Sequence, residues 1–126
     1  MEIIELKSRT VISDSRGELE EIVKAHPWKQ MNRVRTNQGC IRGNHYHKYL
    51  SELHYVLDGE LKVQIKNLRT KEESEYQFGK GSCFIVEPYE FHTLEHLTDA
   101  DYIVLFSEEF NPQNPDIHKD IQTYAG

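Results

Sequence analysis

Two histidines separated by one residue, His45 and His47, are followed five positions later by Glu52. In an extended strand, side chains at positions i and i+2 point to the same face, so the two imidazoles would project side by side. Glu52 opens the next apolar segment, and an antiparallel hairpin would return its carboxylate to a position opposite the histidines. Two neutral imidazoles and one carboxylate form a ligand set for a divalent transition metal ion such as Zn, Fe, Mn or Ni.

A distant part of the chain supplies a candidate third imidazole. Residues 82–86 are mostly apolar and follow a glycine, which predicts a buried strand, and residues 87–90 predict a turn. His92 then begins a further predicted strand. A single histidine on a strand is more often hydrogen-bonded or exposed than bound to metal, but the spacing of the whole set favours a metal site. The predicted metal ligands are His45, His47, Glu52 and His92.

Two further histidines share faces with these candidate ligands. His54 lies two positions after Glu52 and would face the same cavity one step further in. It is the predicted catalytic residue, a general base, because the unperturbed pKa of histidine is near neutral. The alternative is that His54 supports a metal ligand through a hydrogen bond. His96 shares a face with His92 but lies further along the strand, so we expect a supporting hydrogen bond or a surface position.

Arginines and tyrosines surround the candidate metal site in the sequence. A guanidinium binds phosphate through two parallel hydrogen bonds and suits a nucleotide diphosphate, although a solvated strand face explains the same residues. Tyrosines could stack on a base or a sugar, although in a β-sandwich they more often lie in the core or at its rim. The tyrosines considered are Tyr46, Tyr49, Tyr89 and Tyr102. The predicted substrate contacts are Arg33, Arg35, Arg42 and Tyr102.

Size and charge bound the remaining possibilities. The 126 residues predict a single domain over 1–126, with a core over about residues 10–107 and a tail over 108–126 that packs on the barrel. Fifteen basic and 21 acidic residues give a net charge of −6, which argues against nucleic acid or an anionic membrane as partner. No apolar run approaches the ~20 residues of a membrane span. The N-terminus lacks a signal-peptide pattern, so we expect a cytoplasmic protein.

The two cysteines, Cys40 and Cys83, are expected to stay reduced in that compartment. Cys40 lies close to the histidine pair, so a ligand or nucleophile role is an alternative to a small strand side chain. A nucleophilic cysteine needs a base and an electropositive setting, which is a rarer case than a small strand side chain. We therefore expect a structural role.

Short apolar runs between glycines and prolines predict about eight to ten strands and no sustained helix. Asp58-Gly59 is a favoured two-residue turn and predicts a hairpin between strands at 53–57 and 61–67. Residues 25–28 predict a loop. The remaining strands are predicted at 3–6, 18–23, 31–36, 74–78, 82–86, 92–97 and 102–107. Such a series favours a sandwich or a jelly roll, in which distant strands pair and could bring His92 to His45.

Residues 39–59 read G-x5-H-x-H-x4-E-x6-G and resemble the first cupin motif at every fixed position. Gly81 and His92 match the second cupin motif. Its proline, glycine and asparagine are replaced here by Glu87, Tyr89 and His96. The chain is identified as a member of the cupin superfamily, and the resemblance implies an all-β jelly roll, the double-stranded β-helix barrel.

Residues 42–47 and 108–116 resemble the carboxy-terminal cupin domain of capsular-polysaccharide sugar epimerase/reductases. Residues 14–19 and 42–48 also resemble nucleotide-sugar 3,4-ketoisomerases, which share a broad group with the dTDP-4-keto sugar 3,5-epimerases. Those ketoisomerases carry glutamine where Glu52 stands, so the capsular domain is the closer model.

This resemblance implies epimerisation or isomerisation of a 4-keto nucleotide sugar in surface polysaccharide biosynthesis, with a bound metal ion and a homodimeric assembly. Such chemistry removes a proton next to a carbonyl, so it needs a base and a group that stabilises the enolate. The same ligand set serves other reactions. The alternatives are a non-catalytic cupin that binds a sugar or small ligand, and a metal-dependent cupin oxygenase.

Overall fold

The computed structural model describes residues 1–24 and 27–119. Within them are eleven β-strands and one 3-10 turn, Leu6–Ser8. The strands are β1 (Glu2–Ile3), β2 (Thr10–Asp14), β3 (Gly17–Glu21), β4 (Gln30–Thr36), β5 (Ile41–His45), β6 (Glu52–Asp58), β7 (Leu61–Asn67), β8 (Glu73–Phe78), β9 (Cys83–Val86), β10 (Glu90–His96) and β11 (Ala100–Phe106). Residues 25–26 of the predicted loop and 120–126 of the predicted tail lie outside the described residues. No described helix is long and apolar enough to cross a membrane.

Two antiparallel sheets build the barrel. A five-stranded sheet has the order β1-β9-β6-β11-β4, and a four-stranded sheet has the order β5-β10-β7-β8. Most neighbouring strands come from distant parts of the chain, which is the pairing pattern of a jelly roll. The predicted all-β cupin jelly-roll barrel is therefore confirmed.

The core fills the space between the two sheets. In β7, Leu61, Val63 and Ile65 are buried and alternate with the more exposed Lys62 and Gln64. Strand side chains point alternately to opposite faces, so every second residue of β7 turns inward. Burial of one such aliphatic side chain stabilises the fold by about 1.5–3 kcal/mol. Other members of this core are Val56, Phe84, Val86, Leu94, Tyr102 and Val104.

A second apolar cluster covers the other face of the five-stranded sheet. Its buried residues are Leu53, Cys83 and Ile85, and they pack beneath N-terminal residues that include Ile4, Ile22, Val23 and Trp28. All four residues of β9 are buried, because both faces of this strand are covered. A strand that is buried on both faces has a continuous run of apolar residues, and this is why β9 could be predicted from the sequence.

The predicted hairpin between 53–57 and 61–67 is wrong. β6 pairs with β9 and β11, whereas β7 pairs with β8 and β10, so the connection at Gly59 carries the chain from one sheet to the other. Gly59 has a φ of +95°, and a Cβ atom there would overlap the Asp99 carbonyl and Ala100. The Asp-Gly pair indicates a tight turn with left-handed backbone, but it does not determine the partner of the following strand.

The N-terminal segment also differs from the prediction. The strand expected over 3–6 is wrong in extent, because β1 covers only Glu2–Ile3 and the 3-10 turn follows it. β2 is absent from the sequence prediction, and it pairs with β3 in a separate hairpin. All five residues of β2 are exposed, so its sequence lacks the clean apolar–polar alternation that indicates a half-buried strand.

Candidate metal centre

The four predicted ligands come together at one end of the barrel. Their candidate ligand atoms all lie within 4.8 Å of one another. His45 ends β5 and pairs across the strands with His92 of β10, both in the four-stranded sheet. Glu52 begins β6 of the other sheet, and His47 lies in the connection between β5 and β6. The expected hairpin between the histidines and Glu52 is therefore wrong, since the carboxylate approaches from the opposite sheet.

A glycine allows β5 to come close to His92. Gly43 has a φ of +82°, and a Cβ atom there would lie 2.7 Å from the His92 carbonyl oxygen and 3.2 Å from the His92 ring. Asn44 also adopts a positive φ, so the chain bends before His45 instead of continuing as a regular strand. His45 and His47 nevertheless remain neighbours, with ring centroids 4.9 Å apart.

Hydrogen bonds to the main chain orient two of these imidazoles. His47 Nδ1 donates to the Asp116 carbonyl at 2.6 Å, and His92 Nδ1 donates to the Glu90 carbonyl at 3.0 Å. A neutral imidazole that donates from Nδ1 has its lone pair on Nε2, and this tautomer is assigned here from the hydrogen-bond pattern.

Both Nε2 atoms face the same carboxylate. His47 Nε2 contacts Glu52 Oε1, and His92 Nε2 lies 3.8 Å from that oxygen. Metal-binding histidines usually use one nitrogen for the ion and the other for a carbonyl or carboxylate. The donor set therefore fits a divalent metal ion.

The electrostatics of Glu52, His45 and His92 match this arrangement. Burial raises the pKa of Glu52, but the hydrogen bond with His47 and the neighbouring histidines outweigh it and lower that pKa to about 2. Burial lowers the pKa of His92 to about 3 and also lowers the pKa of His45. Burial lowers the pKa of His47, but the contact with Glu52 outweighs it and raises that pKa, so a metal ion bound at Nε2 would take the place of a proton there. An ionised carboxylate and neutral imidazoles are the protonation states that metal ligands need.

His54 lies behind Glu52 and is almost completely buried. Its ring stacks on Phe84 with centroids 4.7 Å apart, and its Nε2 lies 3.8 Å from Glu52 Oε2. Its Nδ1 is buried and has no hydrogen-bond partner among the described residues. Burial lowers the pKa of His54, which favours the neutral imidazole. An unpaired buried nitrogen costs free energy unless a ligand or water supplies its partner.

Two cavities reach the candidate metal centre. An inner cavity of about 190 Å³ is lined by His45, Glu52, His54 and His92 together with residues of β4 and β11. An outer cavity of about 370 Å³ is also lined by His45 and Glu52, and its other wall is the segment 106–117. The cluster is therefore accessible to a small molecule.

Residues 12–118 match the family described as the polysaccharide biosynthesis C-terminal domain. The chain belongs to this family. The match covers most of the chain, and the predicted resemblance to the cupin domain of capsular-polysaccharide enzymes is confirmed.

One curated relative of this C-terminal domain is UDP-2-acetamido-2,6-beta-L-arabino-hexul-4-ose reductase from Pseudomonas aeruginosa. It is 28% identical over 110 residues, which are 84% of this chain and 30% of the relative. The chain therefore spans less than a third of the length of that relative.

Two solved structures show the shared fold. The capsular polysaccharide assembling protein CapF from Staphylococcus aureus is 25% identical with a TM-score of 0.66, covering 87% of this chain and 32% of CapF. QdtA, a sugar 3,4-ketoisomerase from Thermoanaerobacterium thermosaccharolyticum solved with TDP, gives a TM-score of 0.74 at 21% identity. That comparison covers 92% of this chain and 87% of QdtA.

The predicted substrate contacts of the domain separate into two groups. Arg42 and Tyr102 line the inner cavity. Arg33 and Arg35 lie on the opposite face of β4, where they alternate with the cavity-lining Asn32 and Val34. The Arg33 guanidinium instead makes two hydrogen bonds to Asp101, at 3.0 and 2.7 Å. The structure does not bring Arg33 or Arg35 to the cavity.

A chain of hydrogen bonds holds Tyr102 in place. The Tyr102 hydroxyl donates to His96 Nε2 at 3.0 Å, and His96 Nδ1 donates to the Cys40 carbonyl at 2.8 Å. On the same wall of the cavity, Arg42 Nε donates to Thr36 Oγ1 at 2.6 Å. His96 is 1% exposed, so the surface alternative for this residue is wrong.

The other tyrosines and Cys40 have different surroundings. Tyr46 is buried and stacks on Tyr89 with centroids 5.9 Å apart, which makes it a packing residue. Tyr49 is highly exposed and lines the outer cavity. Cys40 and Cys83 are both free thiols, and the Cys40 side chain is exposed.

Proposed function

We propose that this domain is a metal-dependent epimerase or isomerase of 4-keto nucleotide sugars in surface polysaccharide biosynthesis. The observation that carries the proposal is the convergence of four ligand-type side chains beside a cavity that is also lined by His54, whose buried Nδ1 has no hydrogen-bond partner among the described residues. The residues that would hold the ion are His45, His47, Glu52 and His92. The name of the Pseudomonas relative, a hexul-4-ose reductase, supports a sugar with a ketone at carbon 4.

His54 is the proposed base. Its Nδ1 has no hydrogen-bond partner within residues 1–24 and 27–119, and its ring lines the inner cavity next to Glu52. It would remove a proton from the carbon beside the ketone, and the electron pair would move onto the carbonyl oxygen as an enolate. A divalent ion held by the four ligands would supply Lewis-acid stabilisation of that oxygen.

The two outcomes differ in where the proton returns. Return to the opposite face of the same carbon gives an epimer. Return to the former carbonyl carbon, with a proton passing between the two oxygens, moves the ketone to the neighbouring position. Both outcomes conserve atoms and electrons, so neither needs an oxidant or a reductant.

Arg42 and Tyr102 are the proposed substrate contacts. Both line the inner cavity, and the hydrogen bonds with Thr36 and His96 fix their positions. A guanidinium at this wall suits a diphosphate, and a phenol suits a sugar hydroxyl or carbonyl oxygen.

The decisive experiment follows deuterium exchange from D2O into a 4-keto sugar nucleotide, with metal content measured on the same samples. We expect His54→Ala to abolish exchange while metal content stays at the wild-type level. Tyr55→Phe is the matched control, because Tyr55 is the next residue of β6 but points to the other face. Wild-type exchange by His54→Ala would remove this histidine from the mechanism.

A non-catalytic sugar-binding domain is the second candidate. It is favoured by the lining of the inner cavity, where His54 is the one histidine or carboxylate among the described residues that is not a proposed metal ligand. A thermal shift with 4-keto sugar nucleotides but no deuterium exchange in metal-loaded protein would support binding alone. Deuterium exchange catalysed by the wild-type domain would exclude a function limited to sugar binding.

We also propose a homodimer. The hairpin β2–β3 exposes more than half of the Val11, Ile12 and Leu19 side chains, and β4 is an edge strand with one unpaired side. Exposed apolar hairpins and open edges favour pairing with a second chain. Sedimentation should show a dimer for the wild type and a monomer for Ile12→Lys/Leu19→Lys. A wild-type monomer at micromolar concentration would refute the assembly.

A further inference from the structure

We infer that Asp116 is a positioning residue for the metal centre, which fixes His47 and the loop that connects His47 to Glu52. This inference rests on the proposed function, because it concerns binding of the metal ion by those ligands. Asp116 lies in the C-terminal segment, 64 residues after Glu52 in the sequence.

The Asp116 carboxylate binds three consecutive backbone amides. Its Oδ1 accepts from Lys48 N at 2.8 Å, and its Oδ2 accepts from Tyr49 N at 2.8 Å and from Leu50 N at 3.0 Å. These amides belong to the loop between the two ligands His47 and Glu52. One side chain therefore supplies acceptors for most of this loop, which has no strand partner of its own.

The Asp116 main chain acts on the ligand itself. Its carbonyl accepts the His47 Nδ1 proton at 2.6 Å. This bond selects the tautomer with the lone pair on Nε2, the atom that faces Glu52. The same residue therefore sets the path of the loop through its side chain and the orientation of the ring through its carbonyl.

The segment around Asp116 is anchored to the barrel. Tyr46 and His118 form an antiparallel bridge, with backbone hydrogen bonds of 2.9 and 3.0 Å. The His118 ring donates to Asp116 Oδ1 at 2.9 Å and lies beside the buried Tyr46 ring. Asp116 therefore lies two residues before a residue that is bonded to the barrel backbone, and the ring of that same residue also holds its carboxylate.

Loss of the carboxylate should weaken metal binding. Without its acceptor, the loop samples other conformations, and the ion must order the loop before both ligands engage it. Removal of an outer partner of a metal ligand typically costs about 10- to 100-fold in metal affinity. We expect a loss in this range for Asp116→Ala, with a smaller loss for Asp116→Asn, whose amide retains one oxygen acceptor.

The test measures the zinc dissociation constant of the full chain by competition with a chelator. The matched control is Asp99→Ala, because the Asp99 carboxylate also accepts a backbone amide, that of Gln38 at 2.7 Å, away from the metal ligands. We expect this control to bind zinc with wild-type affinity. A second measurement on metal-free protein follows hydrogen exchange of the Lys48, Tyr49 and Leu50 amides, which we expect to accelerate in Asp116→Ala only.

The outcomes separate the two proposals. Wild-type zinc affinity in Asp116→Ala, or unchanged exchange of the three amides, overturns the inference and leaves the proposed metal centre intact. A wild-type protein that binds no zinc overturns both. If Asp116→Ala does not fold, Asp116→Asn decides, and wild-type affinity together with wild-type amide exchange in that variant overturns the inference.

Discussion

Replacing Gly43 by alanine should damage both the barrel and the metal centre. Gly43 has a φ of +82°, a conformation that costs an alanine about 1–2 kcal/mol. The new Cβ would also lie 2.7 Å from the His92 carbonyl oxygen. Relieving that overlap requires β5 to move away from β10, at a further cost of about 1–3 kcal/mol. We therefore expect Gly43→Ala to lose about 2–5 kcal/mol of unfolding free energy.

Gly39→Ala is the matched control for this prediction. Gly39 has nearly the same backbone conformation, with a φ of +85°, but a Cβ atom there meets nothing within 4 Å. Only the conformational cost of about 1–2 kcal/mol should remain. The difference between the two variants isolates the close approach of β5 to His92.

Urea unfolding of both variants measures the stability difference, and chelator competition measures zinc affinity. Gly43→Ala should also bind zinc at least about tenfold more weakly, because His45 and His92 pair at the strand contact that moves. Equal stability and equal zinc affinity in the two variants would refute the argument that this contact positions the ligands.

Three further predictions concern buried groups. Tyr102→Phe should lower the unfolding free energy by about 1–3 kcal/mol in urea titrations, because the buried His96 Nε2 loses its donor; an unchanged midpoint would contradict it. At pH 8, iodoacetamide should label the exposed Cys40 rapidly but label Cys83 only after unfolding, since burial raises the pKa of Cys83 to about 11; equal rates would refute this. Because the folded protein holds the Cys83 proton more tightly than the unfolded chain does, the unfolding free energy depends on pH. The contribution of Cys83 is fully present below pH 9, where the unfolded thiol is also protonated, and is lost as the pH rises toward 11. Cys83→Ala should therefore show a smaller loss of stability than the wild type between pH 9 and pH 11, as measured by urea unfolding, and identical pH profiles would argue against it.

Residue types and spacing were sufficient to indicate which side chains come together at the candidate metal centre. His45, His47 and Glu52 are close in sequence, so local geometry limits their separation. The path of the chain between the two sheets was not predictable in the same way, because strand pairing joins residues that are far apart in the sequence. Asp58-Gly59 indicates a tight turn whether the next strand pairs with the previous one or crosses to the other sheet, as it does here.

The same limit applies to individual side chains. Strand periodicity correctly places Arg33 and Arg35 on one face, but the choice of the inward face depends on packing. Val34 and Thr36 occupy the inner face of β4, which turns both arginines outward. Asp116 contacts residues about 66–69 positions away, and no local pattern connects it to His47.

Zinc X-ray absorption spectroscopy of the loaded protein tests the metal centre most directly. The proposed site predicts three imidazole nitrogens at about 2.0–2.1 Å and one carboxylate oxygen at about 2.0–2.2 Å. Fewer than three imidazoles, or a sulfur ligand at about 2.3 Å from the nearby Cys40, would contradict the proposed site formed by His45, His47, Glu52 and His92.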